Sequence, residues 1–319
     1  MIEALLSRVN GFQARRSSHI LLYHATMRDV PDNLKSDFHN VVPNVLYEQL
    51  TWLTKHFDVV DLEEYCRSDD TTGKAAVTFD DAYSSAFSQG LPVLKSLNVP
   101  CTVFLCGCTL EGKVFWRDKI RFIINNDLEG EFLEFYHRAT GAEIASEGHV
   151  FYRYTKTPAV NSKKLDMIID AFFEGKKIAV EDLQYCVSDA GDLLRSPLVS
   201  YGNHTYDHYL LSSLSNEEQE EQIVRNWKLL ESIGGKISSV FSIPFGGKGS
   251  FNLKTCELLR KYGYDFVLYS RGRLNMPGKR QTANDDAFCL PSFERYMPSG
   301  RMKTFQIQLM KIWIKALLA

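Results

Sequence analysis

The sequence predicts an α/β fold, a distorted (β/α) barrel of about seven strands that carries a helical insertion. Short apolar segments alternate with segments of helical periodicity up to about residue 108 and again from residue 198. Strand, helix and strand at this spacing are typical of parallel βα units, and seven or eight strands are enough for a barrel. We take residues 1–319 as one domain, in which 109–197 form the insertion and 299–319 a terminal helix.

The predicted strands are short apolar runs that end in polar residues or turns. In chain order they cover residues 19–24, 57–62, 74–79, 100–105, 198–201, 240–243, 264–269 and 287–290. Apolar residues at helical spacing predict helices between them over 45–53, 83–97, 215–233 and about 255–261, after a short helix at the N-terminus. We expect Ser215 to be an N-cap, because two glutamates follow it where the helix dipole favours negative charge.

The alternation of strands and helices stops between Phe115 and about Pro197. This stretch is charged, aromatic and largely helical in pattern, with its clearest helices over 116–124 and 165–173. We interpret it as an insertion packed on the rim of the barrel rather than an independent domain. Residues 303–319 form an apolar-rich helix with three lysines, for which we expect docking on the body or on a second subunit. An interfacial membrane helix is the alternative.

Composition narrows the classes of function. The formal net charge is −2, so no basic field over the whole chain argues for nucleic acid as a partner. Seven cysteines, an odd number without a paired framework, indicate reduced thiols, and Cys101, Cys106 and Cys108 are expected in the core. The N-terminus has no signal-peptide pattern and no apolar run reaches the roughly 20 residues of a spanning helix. These features predict a cytoplasmic protein.

Two adjacent carboxylates, Asp80 and Asp81, end the buried strand over residues 74–79. An apolar strand that stops in charge delivers that charge to the edge of a sheet, where ligands tend to bind. Neighbouring carboxylates repel each other unless a cation, a proton or solvent relieves the repulsion. One interpretation is a turn in which either aspartate caps the next helix. The other is a cation site, which requires further ligands elsewhere in the chain.

His204 and His208 follow the strand over 198–201 and therefore belong to the same edge of the sheet as Asp81. If the segment is one helical turn, residues at i and i+4 meet on one face, so that both imidazoles can bind one metal ion. Such pairs also occur by chance on surface helices. One carboxylate and two imidazoles with open positions make a Lewis-acidic hydrolytic site, beside which Asp80 would be free as a general base.

With these residues in place, the sequence resembles the polysaccharide deacetylase family, the fold of chitooligosaccharide deacetylases. The family's motifs are a T-F-D-D strand end, a metal pair of the type H-[ST]-x-x-[HD] and a Pro-aromatic-Gly loop. Here they read Thr78–Asp81, His204–His208 and Pro244–Gly246, in the same order and on the corresponding strands. The resemblance covers roughly residues 19–108 and 198–295.

The resemblance implies a metal-binding and a basic role for four of these residues. Asp81, His204 and His208 would bind a divalent metal, most simply Zn²⁺. Asp80 would take a proton from the water that attacks an N-acetyl carbonyl.

The resemblance also implies roles for the loop and for an early strand end. The backbone N–H of Phe245 would stabilise the tetrahedral oxyanion, and Pro244 and Gly246 would bind substrate as its neighbours in the loop. In one branch of the family an early strand supplies the acid histidine. The strand end Tyr23-His24 resembles that branch, so His24 is the candidate to protonate the departing amine.

Two departures from the family's pattern concern the groups that tune the base and the acid. Many members have an arginine two residues before the loop proline, and here that position is Ser242. A late Leu-x-His motif is also missing, since Leu290-Pro291-Ser292 stands near the place where it would fall. The sequence therefore does not identify the group that sets the pKa of Asp80.

The function that this resemblance implies is removal of an N-acyl group, most simply acetyl, from an amino sugar in surface glycan biosynthesis. The expected partner is a sugar carried by a nucleotide or a lipid. Hydrolysis of a formyl or non-sugar amide is an alternative with the same site. A catalytically lapsed carbohydrate-binding member is a third possibility, suggested by the missing arginine.

Overall fold

A computed structural model describes residues 17–144, 150–273, 275 and 290–318 of the chain. In the described residues all strands belong to one parallel sheet. They are β1 (His19–Tyr23), β2 (Asp58–Val59), β3 (Lys74–Phe79), β4 (Cys101–Leu105), β5 (Val199–Asn203), β6 (Lys236–Ser242), β7 (Phe266–Tyr269) and β8 (Ser292–Glu294). The order across the sheet is β1-β3-β4-β5-β6-β7-β8, and the two-residue strand β2 pairs with the beginning of β3.

The sheet is nearly closed into a barrel, which confirms the predicted fold class. Just after β8, the N–H of Leu22 donates to the carbonyl of Tyr296 at 3.0 Å, and the N–H of Tyr296 donates to the carbonyl of Ile20 at 3.3 Å. These bonds join the two ends of the sheet. Because every pair of strands is parallel, the carboxyl ends of all strands meet at one rim of the barrel.

The helices fall close to the predicted segments. In the described residues they are α1 (Pro43–His56), α2 (Leu62–Arg67), α3 (Leu91–Ser96), α4 (Gly107–Leu110), α5 (Trp116–Asn125), α6 (Glu129–Thr140), α7 (Val150–Tyr154), α8 (Ser162–Lys176), α9 (Asn216–Ile233), α10 (Leu253–Lys261) and α11 (Met302–Leu318). A single turn of π-helix at Ala86–Gly90 precedes α3. The predicted cap is present, since Ser215 and Glu218 form a reciprocal capping box at the start of α9.

The insertion consists mainly of helices α5 to α8 and packs through aromatic rings. The ring of Phe132 on α6 lies 5.3 Å from that of Phe172 on α8. Trp116 of α5 contacts Tyr209 and Phe245, which belong to loops at the carboxyl rim of the barrel, with ring centroids 6.0 and 6.4 Å apart. The insertion therefore lies against the rim where the strands end. The boundaries of the domain and of the insertion remain predictions.

The C-terminal helix α11 docks on the body along its described first half. Phe305 is fully buried and meets the ring of Trp52 on α1 edge to face, with centroids 5.7 Å apart. Just before the helix, the Gln49 side-chain amide donates to the carbonyl of Ser299 at 2.7 Å. Side chains beyond Lys311 are not described. Among the described residues, no helix combines the length and the apolar character needed to cross a membrane.

Two predicted elements fall outside the described residues. They are the short helix before residue 17 and the strand over 287–290, of which only Leu290 is described and has no strand conformation. The last strand that the structure describes is β8, slightly farther along the chain. The six cysteines among the described residues are all buried and form no disulfide, in line with their expected place in the core.

Candidate metal centre and active site

Asp81, His204 and His208 come together at the carboxyl rim, because β3 and β5 end there. The Asp81 Oδ1 atom lies 3.4 Å from His208 Nε2 and 3.6 Å from His204 Nε2. One ligand atom from each residue lies within 4.8 Å of the other two, and all three residues are buried. In the described part of the chain no other group of histidine, cysteine and acidic side chains has this arrangement.

The segment that carries the two histidines is a loop, so the helical turn considered for it is wrong. Thr205 and His208 have φ angles of 66° and 57°, in the left-handed region. The Asn203 side chain accepts a hydrogen bond from the Thr205 N–H at 2.8 Å, and the Thr205 hydroxyl accepts one from the His208 N–H at 3.1 Å. These local bonds compete with helix formation. The loop still brings the rings of His204 and His208 to 4.7 Å.

The residues present fit a divalent cation. Asp81 Oδ1 is buried without a hydrogen-bond partner, and burial together with the charge of Asp80 raises the pKa of Asp81 well above its usual range. A cation would relieve this cost. The Nδ1–H of His204 donates to the carbonyl of Ser242 at 2.8 Å, which leaves Nε2 as the ligand atom. One carboxylate and two imidazoles form a donor set that suits zinc.

Asp80 is paired with an arginine that the sequence analysis did not find. Arg295, which directly follows β8, is fully buried and donates to both carboxylate oxygens of Asp80, Nη1 to Oδ1 and Nη2 to Oδ2, each at 2.8 Å. Burial alone would raise the pKa of Asp80, but the charges of Arg295 and His204 outweigh it and leave the pKa below its ordinary value. Asp80 is therefore an ionised carboxylate beside the candidate metal ligands rather than a helix cap.

Ser242, which stands where an arginine was expected, takes part in the same network. Its hydroxyl accepts from Arg295 Nη2 at 2.7 Å and donates to Asp80 Oδ2 at 3.2 Å. The guanidinium thus reaches Asp80 from the end of β8 instead of from β6. The sequence analysis missed it because the last strand was expected over 287–290, whereas Arg295 directly follows β8 at Ser292–Glu294. The absence of an arginine at position 242 is therefore no argument for a lapsed site.

His24 follows β1 and faces the same centre. Its Nε2 lies 3.9 Å from Asp81 Oδ2, and its Nδ1 lies 3.1 Å from Nδ1 of His39. His39 Nε2 donates to the carbonyl of Pro298 at 2.9 Å, so Nδ1 of a neutral His39 is an acceptor and His24 Nδ1 carries the hydrogen. His24 Nε2, the ring nitrogen nearer to Asp81, then carries no hydrogen in the neutral form. Burial, and then the neighbouring His39, lower the pKa of His24.

The Pro-aromatic-Gly loop leaves one backbone N–H without a partner among the described residues. Phe245 has a φ of 63°, and its N–H has no acceptor among the described residues. The following Gly246 has a φ of 55°, and a Cβ there would lie 2.5 Å from the Ser270 nitrogen, so only glycine fits. The Phe245 ring packs 4.7 Å from the ring of His208. The loop is thus fixed beside the candidate metal ligands.

A cavity of about 570 Å³ opens over this centre. Its floor contains the predicted catalytic and metal-binding residues. These are His24, Asp80, Asp81, His204, His208 and Phe245. One wall comes from the insertion and carries Arg117, Tyr152 and Lys156. Pro244 does not line the cavity and Gly246 is not among its lining residues either, so the structure gives them a part in shaping the loop, and contact with substrate stays a prediction.

A family model and several solved structures match this chain. A sequence model described as polysaccharide deacetylase matches residues 67–157 and 162–267, which together make up more than half of the chain. The matched residues include the candidate metal ligands, Asp80 and the Pro-aromatic-Gly loop. A search among curated proteins gave no match.

Solved structures with a similar fold include two that match along nearly their whole length. The Streptococcus pyogenes deacetylase PplD in complex with acetate has a TM-score of 0.55 at 15% identity, over 93% of this chain and 98% of that one. IcaB from Ammonifex degensii has a TM-score of 0.54 at 17% identity, over 93% and 97%. The putative polysaccharide deacetylase BA0330 from Bacillus anthracis has a TM-score of 0.52 at 14% identity, over 93% and 69%. At such identities the likeness shows a shared fold.

Proposed function

Since the chain belongs to the polysaccharide deacetylase family, hydrolases of non-peptide carbon–nitrogen bonds, we propose that it is a metal-dependent enzyme that removes an N-acetyl group from an amino sugar. The observation that carries the proposal is the convergence of Asp81, His204 and His208 next to an ionised Asp80. The three ligands would hold a divalent cation, most simply Zn²⁺. Bound there, the cation would supply Lewis acidity to the reacting carbonyl and water.

The residues of the chain divide the remaining chemistry among them. Asp80 accepts a proton from the attacking water, and Arg295 keeps its carboxylate ionised and oriented for that purpose. The free N–H of Phe245 donates a hydrogen bond to the oxygen on which negative charge develops. His24, neutral with its hydrogen held on Nδ1 by His39, takes up at Nε2 the proton that Asp80 has removed from the water and passes it to the nitrogen of the departing amine.

We propose as substrate an amino sugar carried by a nucleotide or a lipid, in the building of a surface glycan. The support is the shape of the site, in which helices of the insertion lie against the rim and leave a cavity of about 570 Å³ over the candidate centre. Such a volume lies in the range of small-molecule sites. A sugar with its first linking group fits this space better than a long polymer lying across an open groove.

The test is release of free amine from a panel of N-acetylated sugar nucleotides, lipid-linked sugars and oligosaccharides, with Zn²⁺ added. We expect release from at least one member of the panel. Asp80→Asn should lower turnover at least about a hundredfold, the usual order for loss of a general base, and should leave metal binding intact. Stoichiometric metal without amine release across the panel would contradict the proposal. If the Asp80→Asn variant turned over as fast as the wild type, Asp80 would not be the general base.

A further inference from the structure

The wall that the insertion contributes to the cavity contains a buried cation without a carboxylate partner. Arg117 is about 2% exposed, yet no carboxylate of the described residues forms an ion pair with it. Its Nη1 donates to the Thr155 hydroxyl at 2.9 Å and its Nη2 to the carbonyl of Tyr152 at 3.3 Å, while its Nε has no partner. Buried charges are normally paired. Arg121, one turn farther along α5, is paired in this way, with Asp118 at 2.7 Å.

Aromatic rings hold the Arg117 guanidinium in place. Its central carbon lies 4.6 Å from the ring centre of Trp116 and 4.3 Å from that of Tyr152. Cation–π contacts offset part of the cost of burying the charge and supply no counter-ion. The guanidinium is therefore held at the wall of the cavity, and no carboxylate of the described residues forms an ion pair with it. Such a group binds an anion without the entropic cost of ordering a mobile side chain.

Further cations line the same side of the cavity. The Lys156 ammonium lies 4.5 Å above the ring of Tyr152, and Arg153 and Lys248 stand exposed at the opening. In the described part of the chain none of these three forms an ion pair. The carboxylate on this side of the cavity, Asp37, is more than 4.0 Å from their charged nitrogens. This side of the cavity thus carries an excess of more than one positive charge.

We propose that Arg117 and Lys156 form a subsite for a phosphoryl group attached to the amino sugar, an inference that rests on the proposed function. A phosphoryl group offers more negative charge than a single carboxylate and matches the fork of a guanidinium. The position is suitable, because the Arg117 guanidinium lies 5.5 Å from the Phe245 ring, which packs directly on His208. Arg117 therefore lies one aromatic side chain away from a candidate metal ligand, on the wall of the same cavity. A diphosphate linked to a nucleotide or to a lipid would supply the same chemistry.

The test is binding of inorganic diphosphate to the zinc-loaded full chain, measured by calorimetry for the wild type, Lys156→Gln, Arg117→Gln and Lys95→Gln. Lys95 is an exposed lysine of α3 outside the cavity and serves as the matched control. Zinc contributes equally to all four proteins. We expect each of the two cavity variants to weaken binding about tenfold or more, as for loss of a hydrogen bond to a charged group, and Lys95→Gln to leave it unchanged.

The outcomes separate this inference from the proposed function. The subsite would be overturned if diphosphate bound equally well to the wild type and to Lys156→Gln and thermal unfolding showed both proteins to be folded. This holds even if amine release is observed. Weakened binding would support the subsite even without turnover. Lys156 is only half-buried, so its variant keeps the test decisive if Arg117→Gln does not fold. Competition by a sugar nucleotide or by a prenyl diphosphate in micelles then identifies the source of the phosphoryl group.

Discussion

Asp80 and Asp81 are neighbours in the chain, yet their surroundings shift their pKa values in opposite directions. Asp80 faces the Arg295 guanidinium, so its pKa is lowered in spite of burial. Burial, and then the negative charge of Asp80, raise the pKa of Asp81 well above its usual range. This asymmetry separates the proposed base from the proposed metal ligand.

Replacing Arg295 with Met should affect both stability and pH dependence. A buried carboxylate that loses its partner destabilises the fold, here by about 3–5 kcal/mol. Removal of the guanidinium raises the pKa of Asp80, so the acidic limb of the kcat/KM profile should move to higher pH. Urea unfolding and a pH–rate profile measure the two effects. Arg301→Met, at an exposed position near the start of α11, is the matched control. An acidic limb at the wild-type position would show that Arg295 does not tune the base.

His19 should make stability depend on pH below neutrality. Burial lowers the pKa of this β1 histidine from 6.5 to about 3, so the folded state keeps it neutral while the unfolded chain takes up a proton. The contribution of neutral His19 to the free energy of unfolding is complete above pH 6.5 and is lost as the pH falls towards 3. The slope is about 1.4 kcal/mol of unfolding free energy per pH unit. In His19→Gln this slope should be smaller by that amount, as measured by urea unfolding at pH 7, 6 and 5. An unchanged slope would contradict the assignment.

At the level of elements, α9 braces the loop that carries the second histidine. The Gln222 side chain accepts from the Asp207 N–H at 2.8 Å and donates to the Asp207 carboxylate at 2.7 Å. Its backbone carbonyl accepts from the N–H of Tyr206 at 3.0 Å. Helix α9 thus fixes the two residues between Thr205 and His208. The left-handed φ of His208 persists because this surrounding network over-determines it.

Replacing Gln222 with Ala should weaken zinc binding although the side chain touches no ligand atom. The loop would lose both side-chain bonds to Asp207, and we expect a loss of about tenfold in affinity, the lower end for supporting partners of a metal site. Competition with a chromophoric chelator measures it. Lys228→Ala, an exposed change on the same helix, should leave the affinity unchanged. A lower stability of Gln222→Ala with unaltered zinc affinity would show that the brace is only structural.

At the scale of the whole molecule, insertion and barrel share one hydrophobic cluster. Phe132, Phe172 and Trp116 of the insertion belong to the same buried cluster as Phe241 and Val267 of β6 and β7. A common core couples the two parts energetically. The same packing gives the cavity its cationic wall, because Arg117 is next to Trp116 on α5.

Phe172→Ala should therefore destabilise the barrel together with the insertion. Truncation of a buried Phe costs about 3–5 kcal/mol, and the shared core passes this cost to the whole unit. Unfolding followed by circular dichroism and by native-state hydrogen exchange should show insertion helices and barrel strands losing protection together. Met167→Ala on the same helix, at a position 65% exposed, is the control and should change stability by less than about 0.5 kcal/mol. Separate melting of the insertion would argue for an independent domain.

The sequence by itself determined the strands up to β7, most helices and the side chains that end β3 and β5. These follow from local patterns, since a buried parallel strand is a short apolar run and its polar end falls at the carboxyl rim. The order of the three motifs then predicted which residues meet there. The tertiary structure alone decided three other features. These are the loop conformation of His204–His208, the pairing of Arg295 with Asp80, and the unpaired cations of the cavity wall. The Arg295 pairing and the cationic wall depend on contacts between residues far apart in the chain, which closure of the barrel and docking of the insertion create. The loop conformation depends on side-chain hydrogen bonds of Asn203 and Thr205 and on contacts with α9, which the spacing of the two histidines does not encode.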